Sequence, residues 1–172
     1  SRTLTINGLS KSYAMTGWRV GYAGGPENII QGIAKIQSQS TTNTSSISQA
    51  AAEEALNGTQ NFIKIRSDAF KERRDFVVKK LNSIKGLSCK NPEGAFYVFP
   101  SCKDCIGKKD VNKKEIINDT DFVTSLLENT GVAVVQGSAF GKEGYFRISY
   151  ATSLNNLSKA LDKIEEYCKQ LS

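Results

Sequence analysis

The chain has 172 residues, 39% of them hydrophobic and 23% charged, with a formal net charge of +6. This is enough chain to bury a real core, and the composition is that of a globular protein. No apolar run approaches the ~20 residues of a membrane span and no signal-peptide pattern opens the chain, so a membrane partner is not expected. The basic residues lie scattered in Lys71-Glu72-Arg73-Arg74, Lys79-Lys80, Lys108-Lys109 and Lys113-Lys114. Acidic residues interleave most of them and no aromatic ladder accompanies them, so they read as solvated faces rather than a nucleic-acid footprint.

Taken in order, residues 4–9 form an apolar strand candidate that ends on Lys11, and residues 18–23 form a second that opens with Arg19. Pro26 suits the first turn of a helix, where its missing N–H is harmless. Ile29, Ile30, Ile33, Ala34 and Ile36 continue that helix at roughly helical spacing, until the polar run 37–46 interrupts it. Ser46 with Gln49 has capping-box spacing and opens an alanine-rich helix closed by Asn57-Gly58. Thr59 marks the start of the longest helix candidate, some 26 residues ending at Gly86. Its expected buried stripe is Phe62, Ile65, Ala69, Phe76, Val77, Leu81 and Ile84.

Beyond Gly86 the pattern changes. Residues 87–90 and 95–99 read as short strands flanking the turn Asn91-Pro92-Glu93-Gly94. Residues 101–114 are polar and lysine-rich, the composition of an inserted loop. A helix over 119–130, strands over 132–135 and 145–150, and a last helix carrying Leu157, Leu161, Ile164, Cys168 and Leu171 complete the chain. Interleaved strands and helices predict an α/β fold with helices against one sheet. Of the four cysteines, Cys102 and Cys105 have zinc-knuckle spacing, but no second ligand pair and no histidine exists. No metal site is expected, and free thiols in a reducing cytoplasm are the expected state.

Three positions carry chemistry, Lys11 and Arg19 near one another in sequence and Arg147 far from both. A lysine at a strand end with an arginine eight positions later offers an amine and a fixed cation to a phosphate-bearing aldehyde, although such residues are ordinarily solvated. Arg147 lies in an apolar strand, where an unpaired charge is unfavourable, so something anionic must meet it. That partner is either a buried carboxylate side chain or a ligand.

The string Gly8-Leu9-Ser10-Lys11, then Ala14-Met15-Thr16-Gly17-Trp18-Arg19-Val20-Gly21, resembles the pyridoxal-phosphate attachment signature of class I aminotransferases. The likeness continues through Tyr22-Ala23-Gly24-Gly25-Pro26, Gly94-Ala95-Phe96-Tyr97 and residues 146–153, weakens over 101–119, and is closest to bacterial-type aspartate aminotransferases. The resemblance implies the C-terminal part of a fold-type I transferase. Residues 1–60 would end the large cofactor-binding domain, 61–86 would form a connecting helix, and 87–172 would form a small α/β domain. A first residue other than methionine agrees with a chain that begins inside a longer protein.

The resemblance also implies roles. Lys11 would hold pyridoxal 5'-phosphate covalently through its ε-amine and then act as the catalytic proton shuttle, which requires a depressed pKa from burial or a nearby cation. Arg19 would grip the cofactor phosphate through its planar fork, with the Ser10 hydroxyl assisting. Arg147 would bind the α-carboxylate of the substrate. The reaction implied is transfer of an amino group between an amino acid, aspartate first, and a 2-oxo acid such as 2-oxoglutarate, in a cytoplasmic homodimer. Residues 36–43 hold no arginine to read a second carboxylate, so prephenate, aromatic or alanine preference stays open. An inert structural fragment is the alternative for the 172-residue chain itself, because the carboxylate expected under the pyridine nitrogen is not on it. The two strands beside Lys11 are expected to be bare on both sides, and the lysine segment to be the less native part.

Overall fold

A computed structural model of the chain describes residues 2–172. It divides into two compact units, Ser1–Arg66 and Ser67–Ser172.

The first unit begins with β1 (Thr5–Gly8) and β2 (Gly21–Gly24), which pair antiparallel with Thr5 opposite Gly24 and Gly8 opposite Gly21. The expectation of strands bare on both sides is thereby corrected, since each strand satisfies one edge of the other. Close approach explains a glycine here: a Cβ at Gly21 would lie 3.0 Å from the Asn7 carbonyl oxygen. Helix α1 (Glu27–Ser38) follows with Pro26 as its N-cap, and α2 (Ser46–Asn57) with Ser45 as its N-cap. The predicted capping box does not form. Ser45 makes no side-chain cap bond, and Gln49 instead donates to the Thr44 carbonyl at 2.7 Å. The buried apolar core of this unit is small: Leu9, Met15 and Ala52, with Tyr13, Val20, Ala51 and Ala55 packed around them.

Helix α3 (Asn61–Ser83) runs across the division between the units. Its 23 residues span roughly 35 Å at ~1.5 Å per residue, three residues fewer than expected. Only the later part of the expected stripe is buried, at Val77, Leu81 and Ile84, while Ile65 is 70% exposed. Gly86, at φ +91°, turns the chain after the helix.

The second unit is built on a three-stranded antiparallel sheet of β3 (Tyr97–Val98), β4 (Val135–Gln136) and β5 (Phe146–Ser149), in the order β3-β5-β4. Two helices accompany it, α4 (Asp119–Thr130) and α5 (Leu154–Gln170). Both start on true side-chain caps, Asn118 accepting from the Asp121 N–H at 2.9 Å and Ser153 from the Asn156 N–H at 3.2 Å. Gly131, at φ +72°, ends α4 by donating to the Leu127 carbonyl. The core joins Val77 and Leu81 of α3, Val98, Phe146 and Tyr150 of the sheet region, Phe122 and Leu126 of α4, and Leu157, Leu161 and Ile164 of α5.

The lysine-rich loop is not a loose insertion. Cys102, Cys105 and Ile116 are in the core, and Lys109 exchanges backbone hydrogen bonds with Ser172 at the C-terminus. Buried Asp110 accepts the Asn112 and Lys114 N–H groups on one oxygen and the Ser125 hydroxyl, at 2.7 Å, on the other. Its carboxyl is held below the usual range, first by the Ser125 hydroxyl. All four cysteines are buried and none is in a disulfide. Burial pushes the Cys102 thiol up to about 12, whereas the bond from Cys168 lowers Cys105. Among the described residues, no group of three or more histidine, cysteine, aspartate or glutamate side chains could hold a metal ion, and no helix is long and apolar enough to cross a membrane.

Candidate active site

The lysine segment is a tight loop leaving β1. Leu9, fully buried, accepts the N–H groups of Tyr13 and Met15 on its carbonyl, and Ala14 donates to the Lys11 carbonyl at 3.1 Å. This folds residues 9–15 into a compact turn that presents Ser10, half-buried, and Lys11, exposed. The burial expected around Lys11 is not supplied by its own unit. A 3₁₀ turn, Thr16–Trp18, follows and ends on Arg19.

Two non-glycine residues of this segment take left-handed backbone angles, Ala14 at φ 54° and Arg19 at φ 52°. Such conformations are unfavourable for residues with a Cβ and persist only where the surroundings enforce them. Here the enforcement is visible. Arg19 donates from its backbone N–H and from Nη1, at 3.0 Å, to the same Thr16 carbonyl. Buried Ser48 of α2 donates its hydroxyl to the Trp18 carbonyl at 2.7 Å. Tyr13 donates to Gln60 Oε1 at 3.0 Å and meets the Phe62 ring edge-on at 5.9 Å. Ser48, Tyr13 and Leu9 were not singled out from the sequence as supports. Only Leu9 had a local signal, as the last apolar residue of its run.

The donor set suits a phosphorylated aldehyde. Residues 2–26 contain Arg2, Lys11 and Arg19 and not one acidic residue. An amine, a guanidinium and a hydroxyl are thus supplied by one segment whose own sequence holds no carboxylate. A nearby concavity of about 370 Å³, lined by Leu9, Val20, Gly21, Tyr22, Thr44 and Ala52 among others, includes none of Ser10, Lys11 and Arg19. The fit rests on the donor chemistry of the loop, not on that cavity.

In the second unit, Arg147 occupies the central strand β5, opposite Val135 of β4. Its neighbours in the strand, Phe146 and Ile148, turn toward the core, so the alternation of a strand turns Arg147 to the other face. Arg147 is half-buried, with Cζ 4.4 Å from the ring centroid of Tyr97 and 4.6 Å from that of Phe140. Among the described residues no carboxylate lies within 4.0 Å of it and no hydrogen bond is made by it. Of the two partners open to it, a buried carboxylate side chain is not found among the described residues, whose hydrogen bonds and ion pairs leave the guanidinium donors unused.

A family model described as aminotransferase class I and II matches residues 1–164. The chain belongs to this family. Over all 172 residues it is 56% identical to an aspartate aminotransferase of Rhizobium meliloti, of which it covers 42%. To an aspartate/prephenate aminotransferase of Cereibacter sphaeroides it is 54% identical over 171 residues, 99% of this chain and 43% of that protein. The crystal structure of the Rhizobium meliloti aspartate aminotransferase matches with a TM-score of 0.98 over 100% of this chain and 43% of that one. This aminotransferase chain thus spans under half the length of the curated relatives it matches, as the C-terminal portion of a class I enzyme. Its mixed helix and sheet architecture is a fragment of the pyridoxal-phosphate-dependent transferase fold.

Proposed function

We propose that the chain is the C-terminal portion of an enzyme that moves an amino group between aspartate and a 2-oxo acid, 2-oxoglutarate, with pyridoxal 5'-phosphate as cofactor. The observation that carries this reading is the segment bearing Ser10, Lys11 and Arg19, which has no acidic residue of its own and whose backbone takes left-handed angles at Ala14 and Arg19. Lys11 would hold the cofactor covalently through Nζ, Arg19 would bind the phosphate through its fork, and the Ser10 hydroxyl would add a donor. When bound, the cofactor supplies an electron sink for the pair left on the substrate's Cα. Released from the cofactor, the Lys11 amine would carry the proton from that Cα. Arg147, with unpaired donors between two rings, would hold the α-carboxylate and orient the Cα–H bond.

The names of the relatives support aspartate as substrate, and one of them adds prephenate, so a second amino-group acceptor of that shape is the next to assay. A homodimer and a cytoplasmic setting complete the proposal, the latter supported by four buried thiols without a disulfide.

Lys11→Ala in the full-length enzyme tests the assignment. Loss of turnover, together with loss of borohydride-trapped cofactor from the peptide containing position 11, is the expected result. Near-normal transamination by that variant would sink it.

A further inference from the structure

We propose that Tyr97 and Phe140 are positioning residues for the substrate carboxylate, two rings that fix the Arg147 guanidinium while leaving its N–H donors unused. The inference rests on the reading of Arg147 as the carboxylate site. A carboxylate partner would also hold an arginine still, but it would occupy the same fork that a substrate needs and would cancel its charge. A ring face attracts the cation through its quadrupole and takes up no donor. Arg147 is therefore oriented without being neutralised.

The rings are themselves held in place. Tyr97 lies on β3 and is diagonal to Arg147 across the ladder, Tyr97 being paired with Ser149. Its ring is packed on Phe96, with centroids 4.4 Å apart. Phe140 ends a 3₁₀ turn, Gly137–Phe140, and meets Phe99 edge-on at 6.1 Å. That turn is locked from both ends. Gly137 donates to the Tyr145 carbonyl at 2.7 Å and accepts from the Lys142 N–H at 3.0 Å, and a Cβ at position 137 would fall 2.2 Å from the Lys142 carbonyl oxygen. The Ser138 N–H donates at 2.6 Å to Asp119, which is 1% exposed at the start of α4. All this structure holds a phenylalanine that remains 49% exposed and contributes nothing to the core. The contact it makes with Arg147 explains its place.

The test uses the full-length enzyme and succinate, a plain dicarboxylate, with its dissociation constant measured by calorimetry. Tyr97→Leu and Phe140→Leu are each expected to weaken succinate about three- to tenfold and to raise KM for aspartate by a similar factor, with kcat moving less. Tyr97→Phe, which keeps the ring, restores affinity to within about twofold of the parent on the same grounds. Arg147→Lys is the control for the site itself and weakens succinate by about tenfold or more. Leucine variants that lose thermal stability but bind succinate as the parent does would overturn the clamp, because a purely structural role moves melting and not affinity. Unchanged binding by Arg147→Lys would remove the carboxylate reading and the clamp together. Weakened binding by Arg147→Lys alone would remove only the clamp.

Discussion

The two units divide labour unequally. The first holds the segment with the proposed cofactor-binding residues, yet its buried apolar core is Leu9, Met15 and Ala52. Around it, Ile6, Ile36 and Ile47 are 76%, 73% and 72% exposed. The second unit has a continuous core drawn from three helices and a sheet, and on the sheet's other face one guanidinium between rings. Burial of apolar area is the dominant source of folding stability. The second unit therefore owns its stability, whereas order in the first depends on directional bonds such as Ser48 to Trp18 and on a two-stranded ribbon that is marginal by itself.

The largest effect expected of this difference is on catalysis. The 172-residue chain alone should show no transamination, because the first unit leaves Lys11 exposed and the family's aspartate under the cofactor's ring nitrogen has no counterpart in the matched strings of this chain. Turnover of aspartate with 2-oxoglutarate by the purified chain, at rates typical of whole enzymes, would break the comparison.

Next comes packing. Phe146 is fully buried, 5.2 Å from the ring of Phe122, and Phe146→Ala should destabilise the second unit by about 3–5 kcal/mol. Leu9→Ala in the first unit has fewer buried neighbours to lose and should cost about 2 kcal/mol, at the low end for such a change. Trp18 is the chain's single tryptophan and lies in the first unit, so its fluorescence reports that unit alone. In urea, fluorescence should change before far-UV ellipticity. Coincident transitions would show one cooperative body instead.

A smaller effect is expected at Ser48. Ser48→Ala removes the hydroxyl bound to the Trp18 carbonyl and should cost about 1 kcal/mol, read as an earlier fluorescence transition with the ellipticity transition unmoved. A shift in both probes would mean that the bond serves more than the lysine segment.

The smallest is a pH effect confined to the second unit. Glu165 of α5 bonds Lys169, at 2.7 Å, and Lys80 of α3, which also reaches Asp162 at 3.1 Å. The bond from Lys169, then that from Lys80, lowers the Glu165 carboxyl to about 2, against a usual value near ~4.3. A depressed carboxyl stabilises the fold above its unfolded pKa, and this contribution is lost as pH falls from about 4.3 toward about 2. Glu165→Gln should flatten that part of the acid-stability profile in ellipticity, by little, since exposed pairs are screened. An unchanged acid profile would remove the pair from the account.

Much of this was legible in local sequence. The Lys11–Arg19 string pointed to the family, and the buried side of α5 followed from periodicity over a few turns. Caps act within three residues, and Asn118 and Ser153 act at that range. Where a local signal misled, a neighbour competed: Gln49 had capping spacing, but its amide found the Thr44 carbonyl.

What tertiary structure alone decided lies between residues far apart in sequence. Ser48 is 30 positions from the carbonyl it holds, and nothing in either residue's neighbourhood marks the pair. The loop at 101–114 reads as solvated by composition, yet Cys102 and Cys105 are drawn into a core that also takes Cys168 of α5, near the end of the chain. Arg147 could be seen to need an anion, because a charge in an apolar strand is unfavourable whatever surrounds it. Two rings as its neighbours, in place of a carboxylate, depended on the register of β3 against β5 and on a turn anchored by Asp119. Periodicity and capping are written in short stretches of chain, whereas register and cross-chain hydrogen bonds are fixed only when distant segments pack.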